Sequence, residues 1–214
     1  MIDETAHIGN GVIIGNNVSI GKYCIIEGNV VIGDNTTISH FCTIGTPAQT
    51  ISTDYVGKII IGKNNVIREY VSINMPAKDT TVIGDNNLIM CGLNIGHDVK
   101  IGNNVVVCVG TQLGGHSIIG DNVKLGMNCC IHQFVKIGCN TMIGMGAQVR
   151  LNIPPFSIVE NNKVGFDLIG TKRAGKYNVG KVKKAYFQYK NGCLGMDKYG
   201  EDIKKVYKKF IENK

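Results

Sequence analysis

The feature that most constrains this chain is a six-residue beat. Apolar residues, most of them followed by glycine, recur at Ile8, Ile14, Ile20, Ile26, Ile32, Ile38 and Ile44. The register returns at Ile61, Ile67 and Ile73, then runs through twelve positions from Ile83 to Val149 without a miss. Neither a helix, with its 3.6-residue period, nor a simple alternating strand gives a period of six. A repeated short unit that buries its apolar side only against its neighbours does. In each hexad a β-branched or Leu residue points inward, a small residue follows, and Asn, Asp or Gly turns the chain, as in Gly15-Asn16-Asn17, Gly33-Asp34-Asn35 and Gly120-Asp121-Asn122. These residue types tolerate left-handed backbone conformations at little cost. Three hexads make one coil of a triangular prism, and coils stack at strand spacing, about 4.8 Å.

Composition agrees. The 28 glycines come with only 4 prolines and no collagen period, and 43% hydrophobic residues exclude a disordered chain. No apolar run is long enough to span a membrane, and the first ten residues lack signal-peptide character. Nothing in the prism suggests nucleic-acid binding. The formal charge of +7 is uneven: residues 171–214 carry 13 Lys or Arg and 4 Asp or Glu, while 1–170 are nearly neutral. That places the basic character in a tail suited to an acidic partner. The eight cysteines contain no C-x-x-C pair, and with no secretory signal they read as free thiols of a reducing cytoplasm.

The beat fails twice, between Ile44 and Ile61 and between Ile73 and Ile83. Loops 46–60 and 74–82 are therefore expected to leave the prism, which occupies 1–155. If each interruption is one hexad with an insertion, Ile44 and Ile73 share a column and both loops leave the same edge. The hexads stop at Asn152-Ile153-Pro154-Pro155. The extension, 156–214, should hold two short amphipathic helices, one with Val179, Val182, Tyr186 and Tyr189 on a face, the other with Ile203, Val206, Tyr207, Phe210 and Ile211. These are expected to cap the end of the prism.

Counting hexads from Ile83, His97, His116 and His132 fall three hexads apart, on one side of the prism in successive coils. His7 and His40 lie outside this column and read as surface residues. Three histidines can hold zinc with water in the fourth position, the chemistry of a hydratase related to the gamma carbonic anhydrases. The spacings of 19 and 16 lack the close histidine pair of those enzymes. Acyl transfer fits better: a neutral imidazole takes a proton from a hydroxyl or amine attacking a thioester, and Gly114-Gly115-His116 offers backbone amides that a tetrahedral oxyanion could approach. A non-catalytic scaffold is the remaining alternative.

Ile95-Gly96-His97-Asp98, Leu113-Gly114-Gly115-His116, Ile131-His132-Gln133-Phe134 and Gly170-Thr171-Lys172-Arg173 resemble the motifs of the UDP-N-acetylglucosamine O-acyltransferases, the first enzymes of lipid A synthesis. The resemblance runs in order over roughly 1–175. It implies an all-β solenoid, the left-handed parallel β-helix of the hexapeptide-repeat acyltransferases, with a short α-helical extension. It also implies a homotrimer with each site between two prisms, and no tightly bound cofactor. The acyl group would arrive as a thioester of acyl carrier protein or coenzyme A. On this resemblance His97 is the general base and Gly115 the oxyanion donor. The substrate-binding residues would be Gln49, Asn94, His116, His132, Gln133, Asp167 and Arg173, with Arg173 at the nucleotide's diphosphate. Met145 would close the acyl groove where the family often has glycine, favouring a shorter acyl chain. The family carries His, Asp, Glu and Arg where Asn94, Thr50, Ile169 and Ala174 stand here. An N-acyltransferase of a nucleotide-linked deoxyamino sugar for surface polysaccharide is thus a second reading.

Overall fold

In the computed structural model, residues 1–51, 57–191 and 199–212 are described. Short strands wind into a three-sided prism whose sides are sheets of eight, seven and nine strands. Every pairing is parallel except that of the last two strands of the nine-stranded sheet, Ser157–Glu160 and Lys163–Phe166, and each coil strand bonds the strand one coil on, as Asn94–Ile95 does with Gln112–Leu113 and that with Cys130–Ile131. A coil is eighteen residues where no insertion intervenes. The hexad residues form the core: Ile26, Ile44, Ile73, Ile95, Leu113 and Ile131 are buried in one column of the eight-stranded sheet. Each such side chain contributes about 1.5–3 kcal/mol by leaving water.

The corners give the prism three chemically different edges. After the seven-stranded sheet, Asn17, Asn35, Asn64, Asn86, Asn104, Asn122 and Asn140 repeat in the left-handed conformation. There Asn17, Asn35 and Asn64 each donate a side-chain hydrogen bond to the next asparagine at 3.2–3.3 Å. After the nine-stranded sheet the edge is apolar. Tyr23, Phe41 and Tyr70 stack there with centroids 5.4 and 5.1 Å apart, and the exposed Val109, Met127 and Met145 continue the ridge. The third edge, after the eight-stranded sheet, carries the column histidines.

Ile44 and Ile73 are in register, so both insertions leave this third edge; they are shorter than expected, because Lys58–Ile61 and Thr80–Ile83 are already paired strands of the seven-stranded sheet. Beyond Val149 the chain forms an antiparallel hairpin, Ser157–Glu160 with Lys163–Phe166. Helices α1 (Leu168–Ala174), α2 (Val179–Lys190) and α3 (Glu201–Glu212) follow. The hairpin and α1 were not expected; both fall where the hexad period has ended and the new apolar period has not begun. Phe156, Val182, Ala185, Ile203 and Tyr207 make a second, smaller core. The helices do not simply cap the end: Lys209 of α3 reaches Asp121 at 3.1 Å and, with Phe210, lies against the seven-stranded face. The apolar stripe of α3 buries Ile203 and Tyr207 in this second core, and the ion pair ties its end to a distant coil.

Candidate active site

The strands Asn94–Ile95, Gln112–Leu113 and Cys130–Ile131 lie side by side, and the corners that follow them stack. His97, Gly115 and Gln133 therefore form one column of corner residues, and Asp98, His116 and Phe134 form the next. Hydrogen bonds from Gly96 N to Leu113 O and from Gly114 N to Ile131 O, both 2.9 Å, fix this register. Asp98, His116 and Phe134 all sit at positive φ, 59° to 65°. Elsewhere asparagine commonly fills such a corner, and bulky residues here are a departure that accompanies functional sites.

Asp98 organises the site. Its side chain is 1% exposed, and its Oδ2 lies 2.8 Å from His97 Nδ1 and 3.6 Å from His116 Nε2. Oδ2 also accepts from Ala77 N at 3.0 Å, while Oδ1 accepts from Lys78 N at 3.1 Å and Asp79 N at 2.6 Å. Burial pushes the carboxyl group up, but the bond from His97 and these three amides outweigh it and hold it below the ordinary 3.8. An ionised carboxylate only accepts, so Nδ1 of His97 carries a proton, and in the neutral ring the lone pair is on Nε2. The His116 ring meets His97 edge-on at 5.0 Å and stacks flat on Phe134 at 4.6 Å. Burial lowers the pKa of His116 below 6.5 against the pull of Asp98, with His97 and Lys78 adding to the lowering, so neutral imidazole is favoured.

Gly115 lies under the base. A Cβ there would come within 2.7 Å of Cε1 and Nε2 of His97, so no other residue fits without moving the ring. Its amide has no acceptor among the described residues. The corresponding amides on the asparagine edge are satisfied by the next coil, as Asn103 N is by Asp121 Oδ1 at 2.8 Å. Gly115 N–H is thus a free, preorganised donor beside the base.

The remaining residues are more dispersed. His132 is exposed, two coils from His97 or about 10 Å at strand spacing, with its Nδ1 3.1 Å from the Gln133 carbonyl. Gln133 and Gln49 are exposed, and Asn94 is half-buried on the outer face of its strand. Asp167 is buried and caps α1, accepting from Gly170 N at 2.7 Å. With Ile169 and Ala174 it lines a separate cleft of about 570 Å³ beside Asn122, Asn140 and Lys176. Arg173 belongs to α1, and its side chain lies outside the described residues. Met145 stands 71% exposed on the apolar edge. One chain does not bring Asp167 or Met145 to the histidines. Sequence reasoning missed Phe134 as the support of His116; its bulk at a corner slot that asparagine often fills is the signal that marks it.

The profile of the bacterial transferase hexapeptide family (six repeats) matches residues 11–46 and 80–115. The UDP-N-acetylglucosamine acyltransferase from Campylobacter jejuni superposes with a TM-score of 0.83 at 30% identity, covering 100% of this chain and 94% of that one. The corresponding protein of Bacteroides fragilis gives 0.82 at 29% identity, covering 100% and 97%. The acyl-[acyl-carrier-protein]–UDP-N-acetylglucosamine O-acyltransferase of Thermodesulfovibrio yellowstonii is 40% identical over 202 residues, 86% of this chain and 78% of its own length. This chain belongs to the UDP-N-acetylglucosamine O-acyltransferase family. Its relative in Nautilia profundicola matches over 51% of its own length, at 37% identity.

As a member of that family the protein is an acyltransferase, and the alternatives recede. His97, Asp98 and His116 could present three ligand atoms within 4.8 Å of one another to a metal. Yet both carboxylate oxygens of Asp98 are already engaged by the three loop amides and His97. A carboxylate so occupied is a poor ligand, and the zinc hydratase reading is not favoured. Nor is the N-acyltransferase reading, since the curated relatives are named O-acyltransferases.

Proposed function

We propose that the protein transfers an acyl group from an acyl carrier protein thioester to a hydroxyl of UDP-N-acetylglucosamine, using the histidine edge. One arrangement carries the reading: a His97 ring held by Asp98 at 2.8 Å, with Nε2 free and the unpartnered Gly115 amide beneath it. His97 Nε2 takes the proton from the acceptor hydroxyl as its oxygen attacks the thioester carbonyl. The oxyanion of the tetrahedral intermediate accepts from Gly115 N–H. Collapse breaks the C–S bond, and the thiolate leaves with the proton held by His97. No tightly bound cofactor takes part. His116, His132, Gln133, Gln49 and Asn94 line the acceptor and acyl positions around the base, and Arg173 meets the diphosphate.

The working enzyme in this reading is a cytoplasmic homotrimer. The base stands on one edge and Met145 on another, so an acyl groove containing both must be built from two copies. The ridge from Tyr23 to Met145 supports this, because monomeric proteins seldom expose so long an apolar strip. The basic residues of α2 and α3 suit acyl carrier protein, an acidic partner. Among the described residues no helix is long and apolar enough to cross a membrane.

The deciding experiment incubates the purified protein with UDP-N-acetylglucosamine and acyl carrier proteins loaded with different chains, and analyses products by mass spectrometry. An ester product that hydroxylamine cleaves is expected. No acyl transfer to the sugar nucleotide from any donor would refute the reading.

A further inference from the structure

The turn over residues 77–79 is pinned with unusual care. Three successive amides converge on the buried Asp98 carboxylate, at 3.0, 3.1 and 2.6 Å. From the other side Asp98 N donates to Thr81 Oγ1 at 3.0 Å. The segment inserted between two successive strands of one coil, Ser72–Asn74 and Thr80–Ile83, is therefore fixed to the same carboxylate that holds the base. At its centre stands Lys78, with an exposed side chain whose charge acts on His116. The carboxylate that follows it is already engaged, since Asp79 Oδ2 pairs with Lys100 Nζ at 2.7 Å. Lys78 has no carboxylate partner among the described residues. An ammonium without a carboxylate partner on a pinned stem, beside a base whose proposed acceptor is an anion, is a counter-charge awaiting a ligand.

We propose that Lys78 is an acceptor-binding residue whose ammonium receives the diphosphate of the nucleotide sugar, a role that rests on the acceptor reading above. Distance within the ligands selects this anion over the donor's. The acceptor hydroxyl and the anomeric phosphate hang on one sugar ring, so a diphosphate lies close to the base. The phosphate of a pantetheine arm is at the far end of an extended chain from its thioester, beyond a lysine rooted next to Asp98. The same carboxylate thus couples two tasks, orienting His97 and stationing the cation that positions its substrate.

The test is steady-state kinetics and calorimetry on the full chain. Lys78→Met should raise KM for UDP-N-acetylglucosamine about 10- to 100-fold, the worth of a charge-assisted hydrogen bond. Its kcat and its KM for the acyl carrier protein donor should stay near wild type, and Lys78→Arg should recover most of the affinity. Lys163→Met, which removes an exposed lysine of the hairpin, should change neither KM. An unchanged acceptor KM, a raised donor KM, or a loss confined to kcat would each overturn the assignment. Calorimetric titration with UDP alone separates this from the acyl-transfer reading. Should the wild type transfer no acyl group, weaker UDP binding by Lys78→Met still supports Lys78, and equal binding rejects it.

Discussion

The His97 ring rests on Gly115 so closely that a single added methyl would strike it, at 2.7 Å from Cε1 and Nε2. The backbone cannot yield to make room, since Gly114 N is bonded to Ile131 O and His116 N to His97 O, both at 2.9 Å. In Gly115→Ala the ring must therefore turn away from Asp98, and the free amide loses its approach. We expect kcat to fall about 10²-fold or more, with a melting temperature close to wild type. Activity within a few-fold of wild type would mean that Gly115 is not the oxyanion donor.

His97 and Asp98 act as a unit, so their variants should not add. His97→Ala should lower kcat by about 10²–10⁴-fold, the usual worth of a general base. Asp98→Asn turns an amide nitrogen toward backbone N–H groups and frees the other imidazole tautomer, and should cost a similar factor. The double variant is expected to be scarcely worse than either single one. Single-turnover rates of all three settle this; strictly multiplicative losses would show that the two residues contribute separately.

Acid should weaken the fold through two groups of this site. His116 has a folded-state pKa lowered from 6.5, so its neutral form stabilises the protein above that value and the contribution is lost as pH falls below it. Asp98 has a pKa lowered from 3.8, so its ionised form stabilises above that value and is lost as pH drops through the folded-state value. The melting temperature should decline in two steps on acidification. His116→Gln should flatten the upper step and Asp98→Asn the lower, measured by thermal unfolding across pH. A variant with an unaltered profile would remove that group from the explanation.

Met145 gives a prediction about chain length. It stands exposed on the apolar edge in line with Val109 and Met127, at the proposed end of the acyl groove. Met145→Gly should shift the preferred donor to longer chains. Each added methylene that finds buried space is worth about 0.8 kcal/mol, or roughly fourfold in kcat/KM. Competition between acyl carrier proteins of graded chain length reads the shift directly. An unchanged optimum would place the limit of the groove elsewhere.

The prism was legible because its rule is local and repeats: a β-branched residue inside, a small one next, an Asn or Gly to turn. The shared edge of His97, His116 and His132 followed from counting alone, though the three stand in adjacent corner columns rather than one, and so did the common edge of both insertions. What counting could not supply were contacts made across the repeat. That three amides of loop 74–82 settle on Asp98 depends on the path of an insertion that has no period. The support of His116 by Phe134 depends on a rotamer, and the contact of Lys209 in α3 with Asp121 joins residues 88 apart that no local pattern relates. Met145 and His97 each read as site residues, yet one chain holds them on different edges, and a single sequence says nothing of a second copy.

That second copy is testable through the aromatic ladder. Tyr23, Phe41 and Tyr70 occupy left-handed corners, with φ of 56°, 59° and 59°, where glycine or asparagine sits in the later coils of the same edge. These residues are 57%, 44% and 62% exposed in the single chain. Bulky residues held in a costly conformation with apolar rings toward water are explained if a neighbouring prism covers them. Phe41→Asp breaks the stack at its middle rung and places a charge against the neighbour. Light scattering should show a trimer for the wild type and smaller species for the variant. Since the active site would be shared between copies, activity should rise more steeply than linearly with enzyme concentration for the variant alone. A wild-type monomer that is fully active would reject the shared groove, and with it the placement of Met145 opposite His97.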